Sequence, residues 1–339
     1  MKTSLALACA GLLLAVPAIS ADAKIIRQVE KTFPVQPGGL LKAKTQGGDI
    51  EVRTADISEV RVTARQTIHA ATEAKADELL EKLELTMEQR GNDVICEARY
   101  GEKQRFRWSM NWPPVQVDFI VTVPKSFNAD LNSAATGPQG KADAGLFKAT
   151  INLDLSTSGG DITVGDLQGS VKAQTSGGDL RFARIGGDLT GTTSGGDIDL
   201  QESSARARLS TSGGDIKIDR ANGPTEVSTS GGNIRISSVR ELISASTSGG
   251  DIHAEIDGTL TRDTALTTSG GNVKVSLRPD AAFRLDASTS GGDVDATGLT
   301  IRLERGGNRK SRLVGDVNGG GPTLKLRTSG GDIDVRTGN

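Results

Sequence analysis

The chain has 339 residues, of which 43 are glycine and only 3% are aromatic, and its 40 basic and 42 acidic residues give a formal net charge of −2. So few aromatic residues argue against a bulky globular core. The near-balance of charge gives no general reason to expect a nucleic-acid partner, and we expect none.

The first residues resemble an export signal. Lys2 precedes an apolar run over residues 5–19, and small residues then allow cleavage after Ala21 or Ala23. An uncleaved anchor helix is the alternative, although the run is shorter than the ~20 apolar residues of a typical span. We therefore predict a signal peptide over residues 1–23, a mature chain without a transmembrane segment, and an exported location, either periplasmic or at the cell surface and beyond.

Residues 24–130 lack a tight repeat and predict a β-rich N-terminal capping region with one helix. Strands are predicted by alternating apolar and polar residues and the helix by a run rich in Ala, Glu, Lys and Leu. The predicted elements are strands near 50–52, 60–62 and 115–123, a helix over 72–83 and a hairpin over 85–98. We expect this region to cover the first coil of the repeat domain that follows.

One aromatic patch in this region is the candidate ligand-binding site. Both tryptophans of the chain lie in it, and its residues are Arg105, Phe106, Arg107, Trp108 and Trp112. Aromatic faces beside arginines can stack on sugars or anchor at a lipid interface. The alternative is a loop that packs its aromatic side chains over the end of the repeat domain.

From residue 131 to 339 the chain is dominated by the phrase Thr-Ser-Gly-Gly-Asp-Ile and its variants. The phrase begins at Thr157, Thr175, Thr193, Thr211, Thr229 and Thr247, then at Thr268, Thr289 and Thr328, with an earlier relative at Thr45. The first six copies are 18 residues apart, and a fixed period of this length indicates stacked coils. The sequence predicts an all-β fold, a parallel single-stranded β-solenoid with about 18 residues per coil.

Within a coil, the paired glycines predict a turn because glycine permits positive φ. Ile216 and Ile218 then point inward while Lys217 points outward, and a second bend falls near residues 222–224. The coils are expected to stack in the order of the chain. The last 39-residue gap is expected to hold a loop around Arg302, Arg305, Arg309, Lys310 and Arg312.

Stacking converts the repeated Asp into a column. Its members are Asp161, Asp179, Asp197, Asp215, Asn233, Asp251, Asn272, Asp293 and Asp332. One hypothesis is cation binding, which would make the protein a calcium-stabilised secreted β-roll. The other, which we favour, is a structural turn column in which each side chain accepts backbone N–H groups of its own turn. Asn233 and Asn272 keep the acceptor and lose the charge, and the Gly-Gly-Asp order lacks the ligand spacing of calcium rolls, so we predict no metal site.

The sequence gives little support for catalysis. His69 and His253 have no Cys, Asp or Glu at metal-ligand or relay spacing, and Cys96 lies in a strand-like pattern typical of a buried, inert thiol. A polysaccharide-acting β-helix enzyme remains an alternative, but an active site is a local exception and these coils are alike. We predict no catalytic residues, no cofactor and no enzymatic activity.

Three features together resemble a known family. They are the Thr-Ser-Gly-Gly-Asp-Ile turns, the segment Val-Asp-Phe-Ile-Val-Thr-Val-Pro over residues 117–124, and the closing segment 319–333. The chain is similar in these to the bacterial "putative adhesin" β-solenoid family, a domain class of unknown function. The resemblance covers most of residues 25–339, implies an envelope or surface setting and carries no established catalytic residues.

These observations predict an exported, non-enzymatic β-solenoid that acts as an adhesin-like binding or scaffolding protein of the bacterial cell envelope. Its expected partners are envelope polysaccharide, peptidoglycan or another envelope protein.

Overall fold

The computed structural model describes residues 24–100, 114–133, 142–145 and 152–337, with side chains for all but 142–145 and 305–308. Within these ranges the chain forms 27 strands and one helix. The predicted all-β class, with mostly parallel strands and one helix near the N-terminus, is confirmed. The predicted leader over residues 1–23 and the aromatic patch lie outside the described residues.

The N-terminal elements agree closely with the sequence pattern. The helix begins after Thr72, whose hydroxyl accepts the Lys75 N–H at 3.3 Å and so caps the first turn. The elements are β1 (Lys24–Pro34), β2 (Leu40–Thr45), β3 (Ile50–Ala55), β4 (Glu59–His69), α1 (Glu73–Leu80), β5 (Leu83–Arg90), β6 (Asp93–Tyr100), β7 (Val115–Pro124) and β8 (Asn128–Ser133).

The repeats form short strands that lie in two parallel stacks. Their bounds are β9 (Ala142–Gly145), β10 (Leu153–Thr157), β11 (Ile162–Val164), β12 (Val171–Gln174), β13 (Leu180–Ile185), β14 (Leu189–Thr192), β15 (Ile198–Ser203), β16 (Ala207–Ser210), β17 (Ile216–Ser228), β18 (Ile234–Ser246), β19 (Ile252–Ile256), β20 (Thr264–Thr267), β21 (Val273–Leu277), β22 (Phe283–Ser288) and β23 (Val294–Thr297). The first stack runs β2, β8, β10, β12, β14 and β16, and the second runs β3, β9, β11, β13 and β15. The long strands β17 and β18 turn through the second bend and contribute to both stacks.

The register of the central coils follows the repeat. Ile162 pairs with Leu180 and Ile198 with Ile216, in each case 18 residues further along the chain. From β10 to β22, one face of each strand is buried, and the buried residues belong to a single apolar cluster between the two stacks. A coil contributes few such residues, so most of its stability must come from the backbone hydrogen bonds and packing to its neighbours.

Antiparallel strands lie at the N-terminal end of both stacks. In the second stack, β7 pairs with β3 on one edge and with β4 on the other, and β1 pairs with β4. In the first stack, β2 pairs with β6 of the β5–β6 hairpin. These strands cover edges that would otherwise expose unpaired backbone groups. The β2–β3 segment, which falls in the predicted capping region, itself forms a coil beneath β8 and β9.

The C-terminal coils do not stack in chain order, contrary to the prediction. The elements here are β24 (Ile301–Arg309), β25 (Arg312–Val317), β26 (Thr323–Arg327) and β27 (Ile333–Thr337). Strand β26 lies between β20 and β22, and β27 lies between β21 and β23. The last repeat is therefore inserted between the coils that begin at Thr268 and Thr289.

The predicted basic loop is a β-hairpin, and this explains the change of order. Strand β25 pairs antiparallel with the outer edge of β22, and β24 pairs antiparallel with β25. The hairpin occupies the edge at which a next coil would have stacked. The final segment instead pairs with the inner edges of β22 and β23.

Candidate functional site

In the repeats from Thr175 to Thr328, each turn that leads into the second stack is held by a threonine that faces inward. The hydroxyl of Thr193 donates to the Gly178 carbonyl of the neighbouring coil at 2.8 Å, and it accepts the N–H of Gly196 in its own turn at 3.3 Å. The same pair of bonds recurs at Thr175, Thr211, Thr229, Thr247, Thr268, Thr289 and Thr328. We call this series the hydroxyl ladder; it leaves the buried polar groups of the turns satisfied.

The second glycine of each turn is required by close packing. A Cβ built on Gly178 would lie 2.1 Å from the Gly160 carbonyl oxygen, whereas one on Gly177 would lie 3.5 Å from its nearest neighbour. Positive φ, the reason predicted from the sequence, applies at Gly48 of the first turn, where φ is 127°, and not at the paired glycines of the later repeats. The turns stack so tightly that only a hydrogen fits between them.

The Asp column forms a second ladder, which we call the carboxylate ladder. Its hydrogen bonds run between coils: the Asp179 N–H donates to Asp161 Oδ1 at 2.9 Å, and the Asp197 N–H donates to Asp179 Oδ1 at 2.9 Å. The prediction that each side chain accepts from its own turn is therefore corrected. The ladder continues through Asp215, Asn233, Asp251, Asn272, Asp332 and Asp293.

A groove of about 660 Å³ runs beside the carboxylate ladder on the outer face of the second stack. It crosses five coils, from the Asp197 turn to the Asn272 turn, and thus lies along the stack and across the strands. Its floor includes the edges of Ile216, Ile234 and Ile252. A groove of this direction suits an extended ligand.

A second column of side chains lies two residues beyond the carboxylate ladder on each strand and carries the positive charge of the groove. We call it the charged column, and it consists of Arg181, Asp199, Lys217, Arg235, His253 and Lys274 on adjacent strands. All of them except Arg181 line the groove. Neighbouring members are one strand spacing apart, about 4.8 Å. Four consecutive positions, from Lys217 to Lys274, therefore present cationic or titratable side chains.

His253 lies in the middle of this positive run. Burial first, and then the charges of Arg235 and Lys274, lower its pKa from the ordinary value, while Glu255 at 3.8 Å opposes the shift. The imidazole is consequently neutral near pH 7 and able to donate or accept a hydrogen bond.

The sequence also predicted an aromatic ligand site and an inert thiol, and it predicted no metal site. Arg105, Phe106, Arg107, Trp108 and Trp112 fall outside the described residues, so the structure does not place them beside the groove. Cys96 is buried in β6, and burial raises the pKa of its thiol to about 12, which makes it a poor nucleophile. In the described ranges no group of three or more His, Cys, Asp or Glu side chains is arranged to hold a metal ion.

Arg235 and Lys274 were not among the site residues predicted from the sequence. A signal was present, because Asn replaces Asp two residues before each of them, in Asn233-Ile-Arg235 and Asn272-Val-Lys274. Its meaning depends on which side chains neighbour each other between coils, and this requires the stack.

Comparisons with known proteins give one family and several solved structures. A family model described as Toastrack DUF4097 matches residues 40–336. A structure from Clostridium sporogenes described as a "putative cell adhesion protein" is 11% identical and covers 92% of this chain and all of its own, with a TM-score of 0.21. A "putative adhesin" from Bacteroides fragilis is 13% identical over 92% of this chain and 97% of its own (TM-score 0.32), and a "Putative lipid binding protein" from Parabacteroides distasonis is 13% identical over 91% and 96% (TM-score 0.37). The search of curated proteins found no match. Among the residues described, no helix is long and apolar enough to span a membrane.

Proposed function

The chain belongs to the Toastrack DUF4097 family, and from this premise we propose that it is an exported, non-enzymatic protein of the bacterial cell envelope with an adhesin-like binding or scaffolding role. The export signal predicted over residues 1–23 supports the envelope location. The resemblance inferred from the repeated turns is confirmed by the family match.

The groove beside the carboxylate ladder carries the proposal. It runs through five coils whose turns are held by the same two ladders of hydrogen bonds. Side chains on such a scaffold are pre-organised, which reduces the ordering cost of binding. A long, rigid groove bordered by charged side chains is better suited to one stretch of a linear polymer than to a small substrate enclosed on all sides.

The test is binding to separated envelope fractions. The mature chain, starting at Lys24, is incubated with peptidoglycan, outer-membrane vesicles and cell-surface polysaccharide. A Trp108→Ala, Trp112→Ala variant reports whether the aromatic patch contributes, and an Arg235→Gln, Lys274→Gln variant reports on the groove. We expect retention by at least one fraction, and retention by none would contradict the binding role.

The enzyme and calcium alternatives are separated by two controls. One oxygen of each ladder side chain, Oδ1, accepts a backbone N–H in coil after coil, an arrangement that supports a structural role. We expect no new reducing ends in the polysaccharide when it is incubated with the protein. We also expect no change in the melting temperature of the protein when chelator or calcium is added. Cleavage products would favour the enzyme, and melting that depends on calcium would favour the secreted β-roll.

A further inference from the structure

We call the outward side chains of one strand, together with the ladder residue before it, a row. Two rows of the second stack contain a cation and no carboxylate. On β18 the outward residues are Asn233, Arg235 and Ser237, and on β21 they are Asn272, Lys274 and Ser276. The other cation-bearing rows contain acids, namely Asp179 beside Arg181, Asp215 and Asp219 beside Lys217, and Asp251 and Glu255 beside His253.

The missing carboxylates leave both cations available. Arg181 pairs with Asp179 at 2.7 Å, and Lys217 pairs with Asp219 at 3.3 Å. Across the described ranges, Arg235 and Lys274 form neither an ion pair nor a side-chain hydrogen bond with another residue. Their charge is nevertheless felt locally, since both depress the pKa of His253 between them.

The three side chains lie in line on adjacent strands. Arg235 pairs in register with His253, and His253 with Lys274. Two strand spacings separate the guanidinium row from the ammonium row, roughly 10 Å. We propose that Arg235, His253 and Lys274 bind the acidic groups of a linear, carboxylate-bearing glycan that lies along the groove.

The surroundings favour a glycan over a wider polyanion. Acidic side chains border this line of cations on both edges: Asp215 and Asp251 on the side of the carboxylate ladder, and Asp219 and Glu255 on the other. The line ends at Asp334 on β27, which pairs in register with Lys274 and forms its ion pair with Arg336. A DNA duplex or an anionic membrane would bring its negative charges against these carboxylates, which would repel it. A thin glycan keeps its acids over the cations, and its hydroxyl groups can donate to the flanking carboxylates and amide oxygens.

This inference rests on the proposed function and names the ligand class of the same groove. Its test uses the two histidines of the chain as NMR probes, with His69 on β4 as the internal reference. The mature protein is titrated with an oligogalacturonate and, separately, with the same oligomer after its carboxylates have been reduced to alcohols. We expect the acidic oligomer to shift the imidazole signals of His253 and raise its pKa, with His69 unchanged and the reduced oligomer inactive.

Two variants make the assignment specific. Arg235→Gln with Lys274→Gln removes both free cations and is expected to weaken binding roughly tenfold. Arg208→Gln, which removes an outward cation of the first stack paired with Glu226, is the matched control and is expected to bind as the natural chain does. Equal binding of the two oligomers, or equal affinity of all three chains, would overturn the proposal.

Further outcomes separate this proposal from the broader one. If duplex DNA or anionic lipid vesicles shift His253 and the oligogalacturonate does not, the ligand is a different polyanion and the proposal is wrong. If the oligogalacturonate fails while the envelope fractions still retain the protein, the ligand assignment falls and the proposed function stands. If the envelope fractions also fail, both fall.

Discussion

Asn233 donates two hydrogen bonds to the same oxygen of Asp215 in the neighbouring coil, from its backbone N–H at 2.6 Å and from its side-chain amide at 3.3 Å. Its own Oδ1 accepts the Asp251 N–H at 2.9 Å. The ladder therefore passes through this position without a charge. The fold requires a hydrogen-bond acceptor here but not a charge. Asn272 repeats the arrangement, and the other described members of the ladder are aspartates.

The first prediction restores the charge at these two positions. Asn233→Asp with Asn272→Asp keeps both ladder acceptors and places a carboxylate beside Arg235 and Lys274, as Asp179 lies beside Arg181. We expect the free energy of unfolding to change by less than about 1 kcal/mol, and the affinity for oligogalacturonate to fall roughly tenfold. Calorimetric titration and urea unfolding measure the two effects.

The matched control for this prediction is Asn152→Asp. Asn152 also accepts a backbone N–H from the next coil, that of Ser170 at 3.0 Å, but it lies outside the groove. The Asn152→Asp variant should leave the affinity for oligogalacturonate unchanged. An undiminished affinity in the double variant would show that the charges of Arg235 and Lys274 do not bind the ligand.

The second prediction concerns the hydroxyl ladder. Thr211→Val preserves the shape of a side chain that is 4% exposed, but it leaves the Gly196 carbonyl and the Gly214 N–H without their partner. We expect a loss of about 1–3 kcal/mol in the free energy of unfolding, because buried polar groups without partners are costly. Thr211→Ser keeps the hydroxyl and should lose less. Urea unfolding of both variants is the measurement, and a loss in Thr211→Ser as large as in Thr211→Val would argue against the hydroxyl bonds as the source of the stability.

The third prediction separates the two glycines of one turn. Gly178→Ala places a Cβ 2.1 Å from a backbone carbonyl, which no rotation of a side chain can relieve, and should cost about 2 kcal/mol or more. Gly177→Ala meets only an ordinary contact at 3.5 Å and should change stability by less than about 0.5 kcal/mol. Thermal and urea unfolding of the pair decide the point. Comparable losses at both positions would indicate that backbone freedom, and not close packing, selects glycine in these turns.

The sequence was sufficient for the parts of the fold that repeat. The alternation at Ile216, Lys217 and Ile218 correctly predicts which side chains are buried, because a strand has a period of two. The sequence did not predict the stacking order of the last coils, because the position of β26 depends on a hairpin that occupies the outer edge of β22. The sequence contains Arg235 and Lys274, but it does not show that neither forms an ion pair with another described residue. That depends on which side chains become neighbours when the coils stack.

The fourth prediction follows from the lowered pKa of His253. A histidine of ordinary pKa, about 6.5, takes up a proton in the unfolded chain before His253 does so in the folded one. Its contribution to stability is therefore present above pH 6.5 and is lost as the pH falls from there through the lowered pKa. We expect His253→Gln to lose less stability than the natural chain between pH 7 and pH 5, measured as urea midpoints. Parallel pH profiles of the two chains would show that the imidazole is not held neutral by its surroundings.

The fifth prediction tests the inserted C-terminal repeat by hydrogen exchange. Chain ends usually exchange quickly because they fray. Strand β26 instead has a hydrogen-bonded neighbour on each edge, and Leu324 and Leu326 are fully buried. We expect its amides to exchange as slowly as those of β20, and more slowly than those of β24, which pairs on one edge with β25. Slow exchange would mean that the repeat at Thr328 is held between two other coils. Rapid exchange at β26, with protection at β22, would restore the simple order in which each coil follows the last.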